Sequence, residues 1–266
     1  MSESGVFATL RSTARIWAVA AVHGQAAKLA ALHRQLFHYF SPGDQIVYLG
    51  NYSGHGPAIR ETIDELLVFR RAILARPDVD CADIVFLRGA QEEMWQKLQQ
   101  LQFAPNPWEV LNWMLGQGIG PTLEAYGASV QDGLNAARDG TLSLTKWTSQ
   151  LRQSIGAYDG HNALRATLRH AAYSEDGAML FVHAGIDPQR PLSAQSDSFW
   201  WGGAAFAQID EPYNGFRRVV RGYDRRHGGV QETPWTLTLD GGCGFGGDLL
   251  AACFAPGGDL LSTLSA

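Results

Sequence analysis

The chain has 266 residues, of which 45% are hydrophobic and 18% charged, enough for one large domain or two small ones with a real core. Its formal charge of −5 gives no electrostatic reason to expect nucleic-acid binding. Three widely spaced cysteines, Cys81, Cys243 and Cys253, form no zinc pattern and point to a reducing compartment.

The segment from Met1 to Val6 lacks the basic start of a leader peptide. The apolar run Ile16–Val22 is far shorter than the ~20 residues of a membrane span. A cytoplasmic protein without direct membrane insertion is therefore expected. Ile16–Val22 reads as a buried strand running into a loop at His23-Gly24. Leu29, Leu32, Leu36 and Phe40 then recur at helical spacing until Ser41–Asp44 breaks the pattern. Gln45–Leu49 is a second strand. Pro57 opens a helix whose buried face carries Ile59, Ile63, Leu66, Leu67 and Ile73, and Arg76-Pro77 stops it. Asp83–Leu87 is a third strand, with Glu92–Leu101 helical behind it. Strands and helices alternating with short links imply parallel strands with helices on the faces.

Residues 105–175 change character. They show no obvious strand, and Trp108–Leu115 and Thr145–Ile155 read as helices, so 105–175 is expected to be a helical insertion or cap within a single domain spanning 1–266. Strands resume at Ala178–Val182, Val219–Arg221, Trp235–Leu239 and Leu249–Phe254, and Pro256–Asp259 reads as a hairpin turn. The glycine-rich run Gly241–Gly247 lacks the lysine and following helix of a phosphate-binding loop and reads as a turn between strands. Cys243 within it has no catalytic partner in sequence and reads as packed.

Six short motifs follow this order: Val22-His23-Gly24, Leu49-Gly50-Asn51-Tyr52, Arg88-Gly89-Ala90-Gln91-Glu92, Val182-His183-Ala184-Gly185, Val220-Arg221-Gly222-Tyr223 and Leu239-Asp240-Gly241-Gly242. Together they resemble the metallophosphoesterase (calcineurin-like) superfamily, in its branch of serine/threonine and diadenosine-tetraphosphate phosphatases. The resemblance implies an α/β sandwich of mixed central sheets flanked by helices. It also implies two transition-metal ions (Mn, Fe or Zn) clamping a phosphoester, since paired cations bind the phosphate and generate hydroxide from water.

Position by position, most of the groups for that chemistry are absent. The family's first motif is Asp-x-His-Gly, and Ala21 stands at the aspartate while His23 remains. In Gly-Asp-x-x-Asp-Arg-Gly, Asn51 replaces the bridging aspartate, Gly54 the supporting aspartate and His55 the phosphate-binding arginine. In Gly-Asn-His-Glu, Ala90 and Gln91 replace the asparagine ligand and the histidine acid, while Gly89 and Glu92 remain. His183-Ala184-Gly185 survives, Tyr223 stands where Gly-His-Thr has histidine, and Trp200–Gly203 lacks a following arginine.

Loss of Ala21, Asn51 and Gly54 as carboxylates removes a cluster that would repel itself without cations. No metal and no cofactor are therefore expected, and His23, Asn51 and His183 are the residual metal candidates. His23 and His183 also have a plain reading as hydrogen-bonded remnants, and His55 as an exposed loop residue. Ala21, His23, Asn51, Gln91, His183 and Tyr223 are expected to converge at strand ends. Tyr223 is expected to fill emptied volume, with its hydroxyl bonded to His183, Asn51 or water. Arg217, Arg218, Arg221, Arg225 and Arg226 form the densest basic stretch, readable as a solvated edge or as a patch for an anion or partner. The preceding Trp200, Trp201, Phe206 and Tyr213 read equally as interface or as core. The expected function is a catalytically inactive phosphatase-like protein serving as a binding, regulatory or scaffolding subunit with a protein partner. The alternatives are a divergent metal-dependent phosphoesterase with a reduced or relocated site, and a purely structural subunit.

Overall fold

The computed structural model describes residues 6–12 and 15–266; the segment read for a leader peptide lies largely outside them. Eleven strands occur along the described chain: β1 Phe7–Leu10, β2 Ile16–Val19, β3 Gln45–Tyr48, β4 Ile84–Phe86, β5 Ala171–Ser174, β6 Met179–Val182, β7 Arg218–Arg221, β8 Gly229–Glu232, β9 Thr236–Asp240, β10 Leu250–Phe254 and β11 Leu260–Ser265. They form two mixed sheets, ordered β1-β5-β6-β7-β9-β8 and β11-β10-β2-β3-β4. The pairs β2/β3 and β3/β4 are parallel, as the short helical links demand, and so are β6/β7 and β7/β9. Pro256–Asp259 turns β10 into antiparallel β11. Phe181 of β6 meets Phe254 of β10 edge-on, 6.0 Å between centroids, within the apolar layer shared by both sheets.

Helix α1 (Ala26–Tyr39) buries Leu29, Leu32 and Leu36, the spacing that marked it in sequence. Helix α2 (Ile59–Leu74) starts two residues after Pro57 and buries Ile59, Ile63, Leu66 and Ile73. Helix α3 (Ala90–Leu98) starts earlier than Glu92, directly after Gly89. Five helices follow: α4 Pro107–Gly116, α5 Gly120–Ala125, α6 Val130–Asp139, α7 Thr141–Gly156 and α8 His161–Ala166. Helices α4 to α7 pack on a hydrophobic cluster of their own, with Leu111, Leu123, Trp147, Leu151 and Ile155 against Trp95 of α3, while Leu164 of α8 joins the main core. His161 ties this helical layer to α2: its Nδ1 lies 2.7 Å from the Tyr126 hydroxyl and its Nε2 3.1 Å from Asp64. Two one-turn helices, α9 (Ser198–Trp201) and α10 (Gly203–Phe206), cover the other face of the six-stranded sheet through Phe199, Trp200 and Phe206.

Residues 105–175 are not free of strand. Ala171–Ser174 forms β5, parallel to β1 and antiparallel to β6. Alanine-rich and four residues long, it carries no strand pattern of its own; pairing on both sides creates it. Among the described residues, no helix is long and apolar enough to cross a membrane.

Gly133 in α6 shows how closely the helical layer packs: a Cβ there would lie 2.6 Å from the Trp147 ring. Gly133→Ala gains up to ~1 kcal/mol of helix propensity. It also forces an overlap that costs ~1–3 kcal/mol. Overlap wins, so urea denaturation should show a net loss of about 1 kcal/mol; a stabilised variant would contradict this packing.

Candidate functional site

Loops at the carboxyl ends of β2, β3 and β4 in one sheet and β6, β7 and β9 in the other meet at one place. They carry His23, Asn51, Gln91, His183, Tyr223 and Phe245 respectively. Ala21 joins them through its backbone, its N–H donating to the Gly222 carbonyl at 3.0 Å. The carboxyl ends of parallel strands are where α/β folds gather ligand-binding loops.

The loops are held by Glu92, which is buried. One carboxylate oxygen accepts from the backbone N–H of Asn51 at 2.8 Å and of Gly89 at 3.0 Å. The other accepts from Tyr52 N at 2.9 Å, Ser53 N at 3.2 Å and Ser53 Oγ at 3.1 Å. An ionised carboxylate is acceptor-only and satisfies all five donors. These bonds support a costly backbone. Asn51 (φ 53) and His23 (φ 50) both sit in the left-handed region, at roughly 1 kcal/mol or more each. The Asn51 carbonyl then accepts from Val22 N at 3.0 Å and His23 N at 2.7 Å, locking the first two motif loops together.

Asn51 uses both ends of its carboxamide. Its Oδ1 accepts from Gln91 N at 2.9 Å, which fixes Nδ2 as the end 3.3 Å from His23 Nε2. An amide N–H facing a ring nitrogen needs a lone pair there, so His23 carries its proton on Nδ1. Among the described residues that Nδ1 meets no partner in good hydrogen-bond geometry, although the Ser53 backbone lies near enough to the ring to favour its protonated form slightly. His183 has the opposite arrangement: Nδ1 donates to the Leu49 carbonyl at 2.7 Å, and the bare Nε2 is buried without a partner. Burial holds the His183 ring down to about 4. Burial, then the neighbouring His55, His183 and His227, push His23 well below the ordinary histidine range.

The replaced residues fit one another. The Gln91 side chain lies over Gly54, where a Cβ would be 2.8 Å from its carboxamide carbon. Gly54 also has φ +119, a conformation suited to glycine. Gln91 Nε2 donates to the Gln117 carbonyl at 2.7 Å, and Gly54 N donates to Thr122 Oγ1 at 3.1 Å. The helical layer thereby reaches the site through residues that carried no chemical signal in sequence. Ala90 is buried in the first turn of α3. His55 is exposed at its edge, but its ring packs 4.5 Å from Phe245 and 5.3 Å from His23. Burial and His227 lower its pKa, so it is a neutral ring near pH 7.

Tyr223 stacks parallel to His183 at 5.4 Å and meets His23 edge-on at 5.7 Å. Its ring fills the space between them, as its size suggested. Its hydroxyl bonds to neither His183 nor Asn51 among the described residues, because the ring lies along the face of His183 rather than pointing at it. Gly241–Gly247 is indeed a turn between β9 and β10, and it also inserts Phe245 against His23, His55 and His227. Asp240 accepts from His227 Nδ1 at 2.9 Å and from Asp224 N at 2.8 Å, bracing that side. Cys243 is packed, its thiol donating to the Val22 carbonyl at 3.2 Å and pushed by burial up to about 12.

The five arginines do not form one patch. Arg217 pairs with Asp259 at 2.9 Å beside the hairpin turn, and Arg218 with Glu232 at 2.8 Å on β8. Arg221 is buried, bonded to Thr238 Oγ1 at 2.8 Å and paired with Asp224 at 3.1 Å. Alternating strand geometry sends neighbouring side chains to opposite faces, which a linear reading of basic density ignores. Of the five, Arg225 and Arg226 are exposed and without an ion-pair partner among the described residues. Both line a groove of about 610 Å3 with Asn51, Gln91, Tyr223 and Trp201. Trp200, Phe206 and Tyr213 are core residues, while Trp201 is half-buried against Trp113.

The whole arrangement is similar to solved phosphatases. A protein assigned as a diadenosine tetraphosphatase superposes with a TM-score of 0.55 at 21% identity, over 98% of both chains. A serine/threonine phosphatase from Saccharomyces cerevisiae gives 0.54 at 15% identity, over 98% of this chain and 84% of its own. A cold-active protein tyrosine phosphatase gives 0.51 at 13%, over 100% and 84%. The chain has the metallophosphoesterase fold. No protein-family model and no curated protein matches it in sequence.

The residues present do not fit two metal ions. The Asn51 oxygen and the His23 Nε2 lone pair are both committed within the protein, and Glu92 is consumed by backbone donors. Among the described motif side chains, His183 Nε2 and Gln91 Oε1 are the lone-pair donors left buried without a partner, too few for two ions. Among the described residues, no three His, Cys, Asp or Glu side chains group as a metal site.

Glu92→Gln should destabilise the protein by about 3 kcal/mol, because the amide NH2 would face backbone donors in a buried site. Urea denaturation reads this directly, and a cost under about 1 kcal/mol would show that the loops hold without the carboxylate. Acid stability follows from His183. Its folded pKa of about 4 lies below the ordinary histidine value, so the unfolded chain binds the proton first. Stability should fall as pH drops from about 6.5 towards 4, with His183 contributing about 3 kcal/mol of the loss. His183→Gln should flatten this dependence; an unchanged slope would place the acid sensitivity elsewhere.

Proposed function

We propose that this protein is a phosphatase-fold binding subunit that does not hydrolyse phosphoesters through a dinuclear metal centre. The observation that carries this reading is the double commitment of Asn51. A residue that bridges two cations must offer them oxygen lone pairs, from one carboxylate atom or from two. Asn51 instead offers one oxygen, already bonded to Gln91 N, and an N–H that covers the lone pair of His23. The general-acid position is Gln91, which has no proton to give near neutral pH, and its amide is turned to Gln117. Neutral histidines and the Tyr223 ring take the volume, so the centre is stable without compensating cations. A regulatory or scaffolding role, with a protein partner in a cytoplasmic setting, is the use of such a fold that agrees with its negative net charge and free cysteines. The bare Nε2 of His183 favours, as a second reading, a divergent phosphoesterase with a single-metal site.

Manganese calorimetry and phosphate release from an aryl phosphate and a dinucleoside polyphosphate separate these readings. The native protein should bind no manganese stoichiometrically and release phosphate at the background rate. Turnover that requires metal and is lost in His183→Ala would establish the divergent hydrolase. The combined variant Ala21→Asp, Asn51→Asp, Ala90→Asn, Gln91→His and Tyr223→His should gain measurable manganese affinity, whereas Ala21→Asp alone should not, because ligands acting as a unit are non-additive.

A further inference from the structure

We infer that the groove beside Tyr223 binds a small organic anion with a flat apolar body, anchored by Arg225 and Arg226. This names the ligand of the binding protein proposed above and rests on that reading. The groove adjoins the histidine centre: Asn51, Gln91 and Tyr223 line it, while none of the histidines does. Its volume of about 610 Å3 suits a small molecule rather than a folded partner.

The lining states the chemistry. Met94, Trp200, Phe206 and Ile209 supply an apolar wall. Trp201, half-buried and braced edge-on by Trp113 at 5.4 Å, offers a ring at the rim. The charges are three arginines, Arg221, Arg225 and Arg226, against one aspartate, Asp224. Asp224 is paired to Arg221 at 3.1 Å, which leaves Arg225 and Arg226 without an ion-pair partner among the described residues. They act on this site and not merely on solvent. The charge of Arg226 bears on the Arg221 guanidinium, and that of Arg225 on the Tyr223 hydroxyl. That hydroxyl is itself without a hydrogen bond among the described residues. A chain of net charge −5 thus concentrates unpaired positive charge and free donors around one apolar groove. Forked guanidinium donors match carboxylate and phosphoryl oxygens alike. The flat body would lie against Trp201 and Phe206, with its anionic end at the mouth.

Calorimetry with four probes tests this: 2-naphthoate, acetate, phenyl phosphate and inorganic phosphate, each against the native protein, an Arg225→Ala/Arg226→Ala double variant and Arg217→Ala. Arg217 removes the same kind of surface charge away from the groove. At least one aryl anion should bind about tenfold or more tightly than its bodiless counterpart, and the double variant should lose about tenfold in affinity while Arg217→Ala loses less than about twofold. Preference for naphthoate assigns a carboxylate ligand, and preference for phenyl phosphate a phosphoryl one; either supports the inference. No aryl binding, equal binding of acetate or inorganic phosphate, or an undiminished double variant overturns it. Phosphate release is followed in the same samples. Metal-dependent hydrolysis of phenyl phosphate would overturn the metal-free reading of the centre, while the arginine dependence of naphthoate binding still decides the groove.

Discussion

One buried carboxylate holds the centre of this protein together. Glu92 takes four donors from the Asn51–Ser53 loop and a fifth from Gly89 at the start of its own helix. Without it, four backbone N–H groups would be buried unpaired, at ~1–3 kcal/mol each. It also sets the left-handed turn at Asn51, and Asn51 in turn receives the His23 loop. The position of every ring in the centre depends on these loops. The residue that shapes the backbone is thus distinct from the histidines and Tyr223 that fill the centre.

The substitutions around it are coupled. Gln91 occupies the space over Gly54, so a carboxylate at one position and the long amide at the other exclude each other. Asn51 has the shape of aspartate but reverses the polarity of one end, and that end meets His23. Removing negative charge leaves histidines in a buried site where the charged imidazolium is disfavoured, and His23, His55 and His183 all have lowered pKa values. Neutral rings pack against Tyr223 and Phe245 as aromatic surfaces. Packing of neutral rings holds this centre.

Much of this was legible in sequence, because strand-end loops draw distant motifs together by topology alone. The convergence of His23, Asn51, Gln91, His183 and Tyr223 followed from the order of short motifs after apolar runs. What escaped has physical causes. Strands β1, β5 and β8 are four residues each, and their partners rather than their own patterns define them. Thr122 and Gln117 act from a separate helical layer through a hydroxyl and a backbone carbonyl, contacts that the order of residues in sequence does not specify. Phe245 sits in a glycine-rich turn whose composition signals only flexibility. The arginine stretch misled as a linear cluster, since Arg217, Arg218 and Arg221 each face a different internal partner.

The central claim is that Asn51 occupies the lone pair through which His23 would hold a metal. Long-range nitrogen–proton correlation spectra of the imidazole rings, recorded with and without added zinc, test it most directly. The account predicts both His23 and His183 protonated at Nδ1, with His23 Nε2 shifted as a hydrogen-bond acceptor and unchanged by stoichiometric zinc. A proton on Nε2 of His23, or a zinc-induced shift of its ring nitrogens, would contradict it.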